Sequence, residues 1–287
     1  MQTTELLKKV RRVEIKTRRL SNHIFSGEYH SSFKGRGMSF SEIRKYEPGD
    51  DVRDIDWNVT AKLNEPYIKI FEEERELTLM LMVDISASGH FGTLIQDKRE
   101  TITELCAVLA FSAMQNNDKV GVIFFSDQVE KYIPPKKGKS HVLRIIRELI
   151  EIEPVNKGTN ISEAIKFQIG VMKKQCITFL ISDFMDEDYL KNLQIAGRKY
   201  DLTGVRIFDR HEANIPNIGL VKMIDKETQE SMWVDTSSKK VRNNYQRWYS
   251  QHTSYFKDSF VKSGAGTIEL RTDESYVKKL MEFFKRR

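Results

Sequence analysis

Residues 77–88 read LTLMLMVDISAS, and the reading of this stretch decides the fold. From Leu77 to Val83 the chain is apolar at every position but Thr78, and it then breaks sharply at Asp84. A strand with one wet face would alternate apolar and polar residues. A continuous run of strand length, stopped by a charge, is the mark of a strand buried on both faces, as in a parallel sheet.

Working outward in the C-terminal direction, the pattern repeats with helices between. Arg99 to Gln115 has a helical period, Lys119 to Phe125 (KVGVIFF) is a second buried strand, and Val129 to Ile133 is a short edge strand that Pro134-Pro135 should stop. Helices follow at 141–152 and 161–173, a strand at Cys176 to Ile181, a helix at 189–196 and a strand at Leu202 to Phe208. A late strand at Thr267 to Leu270 precedes a last helix at 276–284. Strands alternating with helices specify an α/β fold with a doubly wound, mostly parallel sheet. Within it, Gly219 to Asp235 reads as a hairpin turning at 225–228, part of an insertion near 216–236, and Val241 to Phe260 as a long helix.

In the N-terminal direction the texture differs, so the expected division is an extension at 1–75 and a sheet domain at 76–287. Leu6, Val10, Val13, Thr17, Leu20 and Ile24 recur at spacings of three and four, which predicts a helix over 5–24. Residues 26–64 are rich in Gly, Ser, Asp and aromatics without a helical period, and read as loops and short strands. Residues 1–36 hold nine bases against three acids, which accounts for the whole formal net charge of +6. A basic head on a neutral body suits an acidic protein partner, an anionic membrane or nucleic acid, or is simply a solvated helix face.

With 39% hydrophobic and 31% charged residues the composition is globular. Cys106 and Cys176, both in apolar segments, offer neither a disulfide framework nor zinc spacing, which suits a reducing compartment. Leu6-Leu7 is followed at once by Lys8 and Lys9, unlike a signal peptide, and no apolar run approaches the roughly 18 residues of a transmembrane helix. The expectation is a cytoplasmic protein with no transmembrane segment, associated with membranes only through partners.

The chemistry sits where open parallel sheets place it, at the carboxyl ends of the strands. The first buried strand runs into Asp84, Ser86 and Ser88; the Gly158-Thr159-Asn160 turn opens a helix; the strand at 177–181 ends in Ser182-Asp183. Hydroxyls and carboxylates without His or Cys select a hard cation, Mg²⁺ or Mn²⁺. Other motifs do not develop. Gly138-Lys139-Ser140 lacks the first glycine of a phosphate loop, no G-x-S-x-G elbow surrounds Ser86, and the six histidines form no metal-ligand spacing. His90 lies near the serine loop and could act as a base there, but it reads more readily as a surface or loop histidine.

The D-x-S-x-S, then Thr, then Asp arrangement resembles the metal-ion-dependent adhesion site of von Willebrand factor A domains. The resemblance implies direct contacts to the ion from Ser86, Ser88 and Thr159, with Asp84 and Asp183 acting mainly through water. A longer series is more specific: Gly35-Arg36-Gly37-Met38-Ser39-Phe40, the run from Arg44 to Trp57 (RKYEPGDDVRDIDW), Thr60-Ala61-Lys62 and Phe71-Glu72-Glu73-Glu74-Arg75. With Asp209, Glu212, Pro216, Gly219, Asp225, Glu227-Thr228 and Val234-Asp235-Thr236 these look like the bacterial domain-of-unknown-function fifty-eight family. That family's genes commonly neighbour those of MoxR-type AAA+ ATPases. Two departures are Gly89, where the family often has Met, and Arg210, where Pro is common.

The stretch from Tyr46 to Trp57 offers a second candidate. Pro48-Gly49 signals a turn that exposes Asp50 and Asp51. Arg53 can fork onto Asp54 or Asp56, and Trp57 can anchor the loop in an apolar pocket. The set Asp50, Asp51, Arg53, Asp56 and Trp57 is either a clasp fixing the extension or a partner-binding surface.

The reading is therefore not an enzyme but a metal-dependent protein-interaction module. The resemblance implies a MoxR-type AAA+ ATPase or its client as partner, donating an acidic residue to the metal, in protein maturation or envelope stress. The alternatives are a metal-dependent hydrolase and a basic-head binder of nucleic acid or anionic membrane.

Overall fold

A computed structural model of the 287-residue chain describes Val10, Arg11, Val13, Glu14 and residues 39–72, 77–86, 98–156, 158–224 and 231–286. These belong to two units, Phe33–Glu76 and Leu77–Arg287 together with Met1–Ser32. Of the helix expected over 5–24, Val10, Arg11, Val13 and Glu14 are helical and the rest lies outside the described residues.

In the smaller unit, strands β1 (Ser39–Lys45) and β2 (Tyr67–Glu72) pair antiparallel, with Ile43 opposite Lys69. The chain between them turns at Gly49, whose φ of +117° suits glycine alone. A 3₁₀ turn at Val52–Asp54 leads into helix α1 (Trp57–Leu63). This helix corrects the expectation of loops and short strands. Seven residues are too few to show an apolar period, and its ends are set by polar groups. The Asp56 carboxylate accepts from the N–H groups of Asn58 and Val59 at 3.0 and 3.2 Å, and Asn64 closes the helix in the left-handed region.

In the larger unit, six strands form one sheet: β3 (Thr78–Asp84), β4 (Lys119–Phe125), β5 (Val129–Lys136), β6 (Ile177–Ser182), β7 (Asp201–Phe208) and β10 (Gly266–Arg271). Their lateral order is β5-β4-β3-β6-β7-β10, all parallel except the β4–β5 pair. Numbered among themselves, the strands run 3-2-1-4-5-6, the doubly wound order that reverses between strands 1 and 4. Here that reversal lies between β3 and β6. Leu79 to Val83 lie at the centre of the sheet, buried on both sides, as the unbroken apolar run requires.

The helices are α2 (Lys98–Gln115), α3 (Lys139–Glu151), α4 (Ile161–Val171), α5 (Leu190–Lys199), a short α6 (Arg210–Ala213), α7 (Lys239–Lys262) and α8 (Tyr276–Arg286). Contacts link α2 with α3 and α8, and α5 with α4 and α7, giving a layer on each face of the sheet. Met80 and Met82 on β3 join Ile165, Leu193, Phe256 and Phe260 in one core. Gly204 on β7 is part of that fit, because a Cβ there would meet the Phe260 ring at 2.4 Å. Cys106 and Cys176 are buried free thiols.

Strand β5 does not stop at Pro134-Pro135 but continues through both prolines to Lys136. It is an edge strand, so the missing N–H groups cost no ladder partner there. The register slips opposite them, between Val120 and Val122. Gly121 accommodates the slip, since a Cβ would stand 3.0 Å from the Ile133 carbonyl oxygen and the Pro135 ring. Strands β8 (Leu220–Ile224) and β9 (Ser231–Asp235) form an antiparallel pair of their own, and the turn expected at 225–228 lies outside the described residues.

Candidate functional site

The reversal of strand order brings the carboxyl ends of β3 and β6 side by side, with Val83 in register with Ile181. A crevice at such a point is where doubly wound sheets bind ligands. Asp84, 6% exposed, ends β3. Its Oδ1 accepts the Ser86 N–H at 2.9 Å and its Oδ2 accepts the Ser182 hydroxyl at 2.6 Å. Burial, and then the neighbouring Asp183 charge, push the Asp84 carboxyl up to about 7, against the pull of the Ser182 and Ser86 hydrogen bonds.

Asp183 follows β6 and is held by an unusual backbone. Phe184 sits at φ 56°, a region costly for a bulky side chain, yet its ring is fully buried 4.4 Å from the Phe256 centroid and 5.4 Å from that of Phe260. The Phe184 N–H donates to the Ser182 hydroxyl at 3.0 Å, so Ser182 fastens both Asp84 and the bend after Asp183. The Asp183 carbonyl accepts from Arg206 Nε at 3.2 Å. That buried guanidinium lies over the Phe208 and Tyr249 rings and reaches Glu269 at 3.4 Å.

Lys98, the first residue of α2, is 2% exposed. Its Nζ lies 3.4 Å from Asp183 Oδ2 and 2.5 Å from Glu212 Oε1. Burial pulls its proton affinity down, but the Asp183 and Glu212 charges together hold the ammonium above its ordinary value. Glu212 is anchored in turn: Oε2 accepts the Asp209 N–H at 2.9 Å, and its carbonyl accepts the Tyr245 hydroxyl at 2.8 Å.

Thr159 is half-buried on the turn before α4. The next N–H, of Asn160, donates to the Ser126 carbonyl at the end of β4 at 2.7 Å. The Asn160 side chain caps Glu163, and Asp186 accepts the Ile161 N–H at 2.8 Å. Asp84, Ser86 and Asp183 thus meet at the β3–β6 seam, and Thr159 stands on the turn tied to β4. Ser88 and His90 lie outside the described residues. Lys98 and Glu212 are not part of the expected site, and Ser182 enters it only as the residue before Asp183.

The family model described as "Protein of unknown function DUF58" matches residues 42–255. This chain belongs to the DUF58 family. An uncharacterized protein of Mycobacterium tuberculosis is 24% identical over 279 residues, covering 96% of this chain and 87% of the relative. Among solved structures, the conserved hypothetical protein BatB from Bacteroides thetaiotaomicron is similar at a TM-score of 0.49 and 15% identity, over 73% of this chain and 98% of BatB. A von Willebrand factor type A protein from Catenulispora acidiphila is similar at a TM-score of 0.37 and 11% identity, over 77% of this chain and 43% of that one. The fold assignment rests on the strand order and register described above.

In this DUF58 chain the second candidate set lies in the smaller unit. Asp50 takes a two-pronged contact from Arg44, at 2.8 and 2.9 Å, a partner the sequence reading missed. Arg53 turns to Asp51 at 3.3 Å rather than to Asp54 or Asp56, because the Asp51 carboxylate already holds the Arg53 N–H at 2.9 Å. Asp56 is used as the α1 cap. Trp57, at the first position of that helix, is 68% exposed.

The described part of the first set fits a hard cation in its chemistry: two carboxylates with the Ser86 and Thr159 hydroxyls, all oxygen donors. Among the described residues no group of three or more His, Cys, Asp or Glu side chains is placed to hold a metal, so a cation here would depend on hydroxyl ligands as well. None of the described helices is long and apolar enough to cross a membrane.

Proposed function

We propose that this chain is a protein-interaction module, not an enzyme, whose sheet end binds a divalent cation of the Mg²⁺ or Mn²⁺ type and through it an acidic group of a protein partner. The observation that carries the reading is the placing of a buried Asp84 and a half-buried Asp183 as neighbours at the switch point of the sheet. Ser86, Ser88 and Thr159 would supply hydroxyl oxygens, and the two aspartates the charge. The bound ion would supply a Lewis-acidic position for a carboxylate oxygen. Ser182 and Phe184 keep the carboxylates in place. The likeness of the D-x-S-x-S, Thr, Asp pattern to adhesion sites of von Willebrand factor A domains supports a role in gripping protein. By the same family resemblance we nominate a MoxR-type AAA+ ATPase or its client as the partner, in protein maturation or envelope stress.

Calorimetric titration of Mn²⁺ and Mg²⁺ into the full chain tests this reading. Saturable binding should appear in the natural sequence, raise its melting temperature by mass action, and vanish in Asp84→Asn. Absence of binding at millimolar ion, or equal binding by Asp84→Asn, would overturn it.

A further inference from the structure

The ammonium of Lys98 lies fully inside the protein against a carboxylate of the candidate cation site. A buried lone ammonium is costly unless it is paired and hydrogen-bonded, and this one has two carboxylates within reach. The distances are unequal: 2.5 Å to Glu212 and 3.4 Å to Asp183. Glu212 is the fixed end of the pair, held by the Asp209 N–H at one carboxylate oxygen and by the Tyr245 hydroxyl at its own carbonyl. Asp209 is itself tied to Thr272 at 3.1 Å.

From this geometry we infer that Lys98 is a tethered counter-cation: it shares Asp183 with the divalent ion, holds the site together when no ion is bound, and sets how tightly an ion binds. The inference rests on Asp84, Ser86 and Asp183 being the cation site. Its physical basis is charge balance. The cluster sets three carboxyl groups, of Asp84, Asp183 and Glu212, against the one ammonium of Lys98, so Lys98 offsets part of the negative charge that an incoming cation would meet. Without Lys98 the cluster would attract an ion more strongly, and would repel itself more strongly when empty. Without the Glu212 charge, the ammonium would fall to Asp183 alone and oppose an incoming cation.

The two substitutions therefore have opposite signs, which a general loss of packing would not produce. Mn²⁺ is titrated by calorimetry into the full natural chain, Lys98→Met, Glu212→Gln and the double variant, with far-UV circular dichroism on each. Lys98→Met should bind Mn²⁺ at least tenfold more tightly than the natural chain, Glu212→Gln at least threefold more weakly. The double variant should bind more tightly than Glu212→Gln alone. That last comparison keeps the cluster's charge near balance, and decides the matter if Lys98→Met alone does not fold without ion. Affinity unchanged or weakened on removing Lys98, in either background, would overturn the inference while leaving the cation site standing. Binding by Lys98→Met but not by the natural chain would overturn both, because Lys98 would then replace the ion at Asp183 instead of sharing it. No binding in any variant would overturn both.

Discussion

Ser182 Oγ donates a 2.6 Å hydrogen bond to Asp84 Oδ2 across the seam between the two strands where the sheet reverses its order. The same oxygen accepts the Phe184 N–H at 3.0 Å, so one small hydroxyl ties the end of β3 to the bend after β6. Both partners are buried, and neither has ready access to water.

Replacing Ser182 with Ala should therefore cost more than an ordinary surface hydroxyl. It leaves a buried carboxylate oxygen and a buried backbone N–H each short of a partner, which costs about 1–3 kcal/mol per group. The expected result is a lower urea midpoint with an unchanged slope. A midpoint equal to that of the natural chain would show that the hydroxyl does not bridge the two strands in solution.

Phe184 gives a second stability prediction, tied to the placing of Asp183. Its ring fills the space between Tyr189, Phe256 and Phe260, and holds a backbone conformation that bulky residues avoid. Phe184→Ala should destabilise by about 3–5 kcal/mol, the usual range for removing a buried aromatic ring. Phe184→Leu, which keeps most of the volume, should recover much of that loss. Equal losses in the two variants would mean that the ring's packing is not what holds the bend.

The smaller unit offers a pH test that does not depend on any ion. The Arg44 fork, and then the Glu47 N–H, hold the Asp50 carboxyl below the usual aspartate range. Because the folded value is depressed, this group's stabilisation is present above the unfolded value of about 3.9 and is lost as the pH falls through the lower folded one. Carbon-detected NMR should find Asp50 titrating below ordinary aspartates, and Arg44→Gln should return it toward their range. An identical midpoint in both proteins would exclude the fork.

What the sequence made legible follows from where its signals come from. Buried parallel strands must be largely apolar, so Leu79–Val83, Val120–Phe125 and Ile177–Ile181 stand out as runs, and the polar residue ending each run marks the carboxyl edge of the sheet. Strand β5 outlasts the edge strand expected at Val129 to Ile133 because a register slip against β4 absorbs the two prolines, and sequence spacing does not mark such a slip. Helix α1 was invisible because its limits are set by Asp56 and Asn64, not by an apolar stripe. At the site, Asp84 and Asp183 could be found as strand-end carboxylates. Lys98 could not, since it pairs with a residue 85 positions away and looks, in sequence, like any charge at the start of a helix. Its only local signal is that it opens a helix buried on nearly every side, where a solvated lysine has little room.

If a partner's carboxylate reaches this chain through an ion held at Asp84, Ser86 and Asp183, chelation and a site substitution remove the same contact. Asp183→Asn is the informative change, because it keeps the side-chain volume while removing the charge that Lys98 reaches and that an ion would share. Measured against a purified MoxR-type ATPase, chelator and Asp183→Asn should each weaken binding by a similar factor, and together by little more than either alone, since effects on one shared contact do not add. Adding Glu212→Gln should weaken binding at limiting Mn²⁺ and have little effect at saturating Mn²⁺, because it acts on how the ion is held and not on the partner's carboxylate. A complex whose affinity is indifferent to chelator would show that the partner grips another surface, and the aspartate pair would then serve the fold alone.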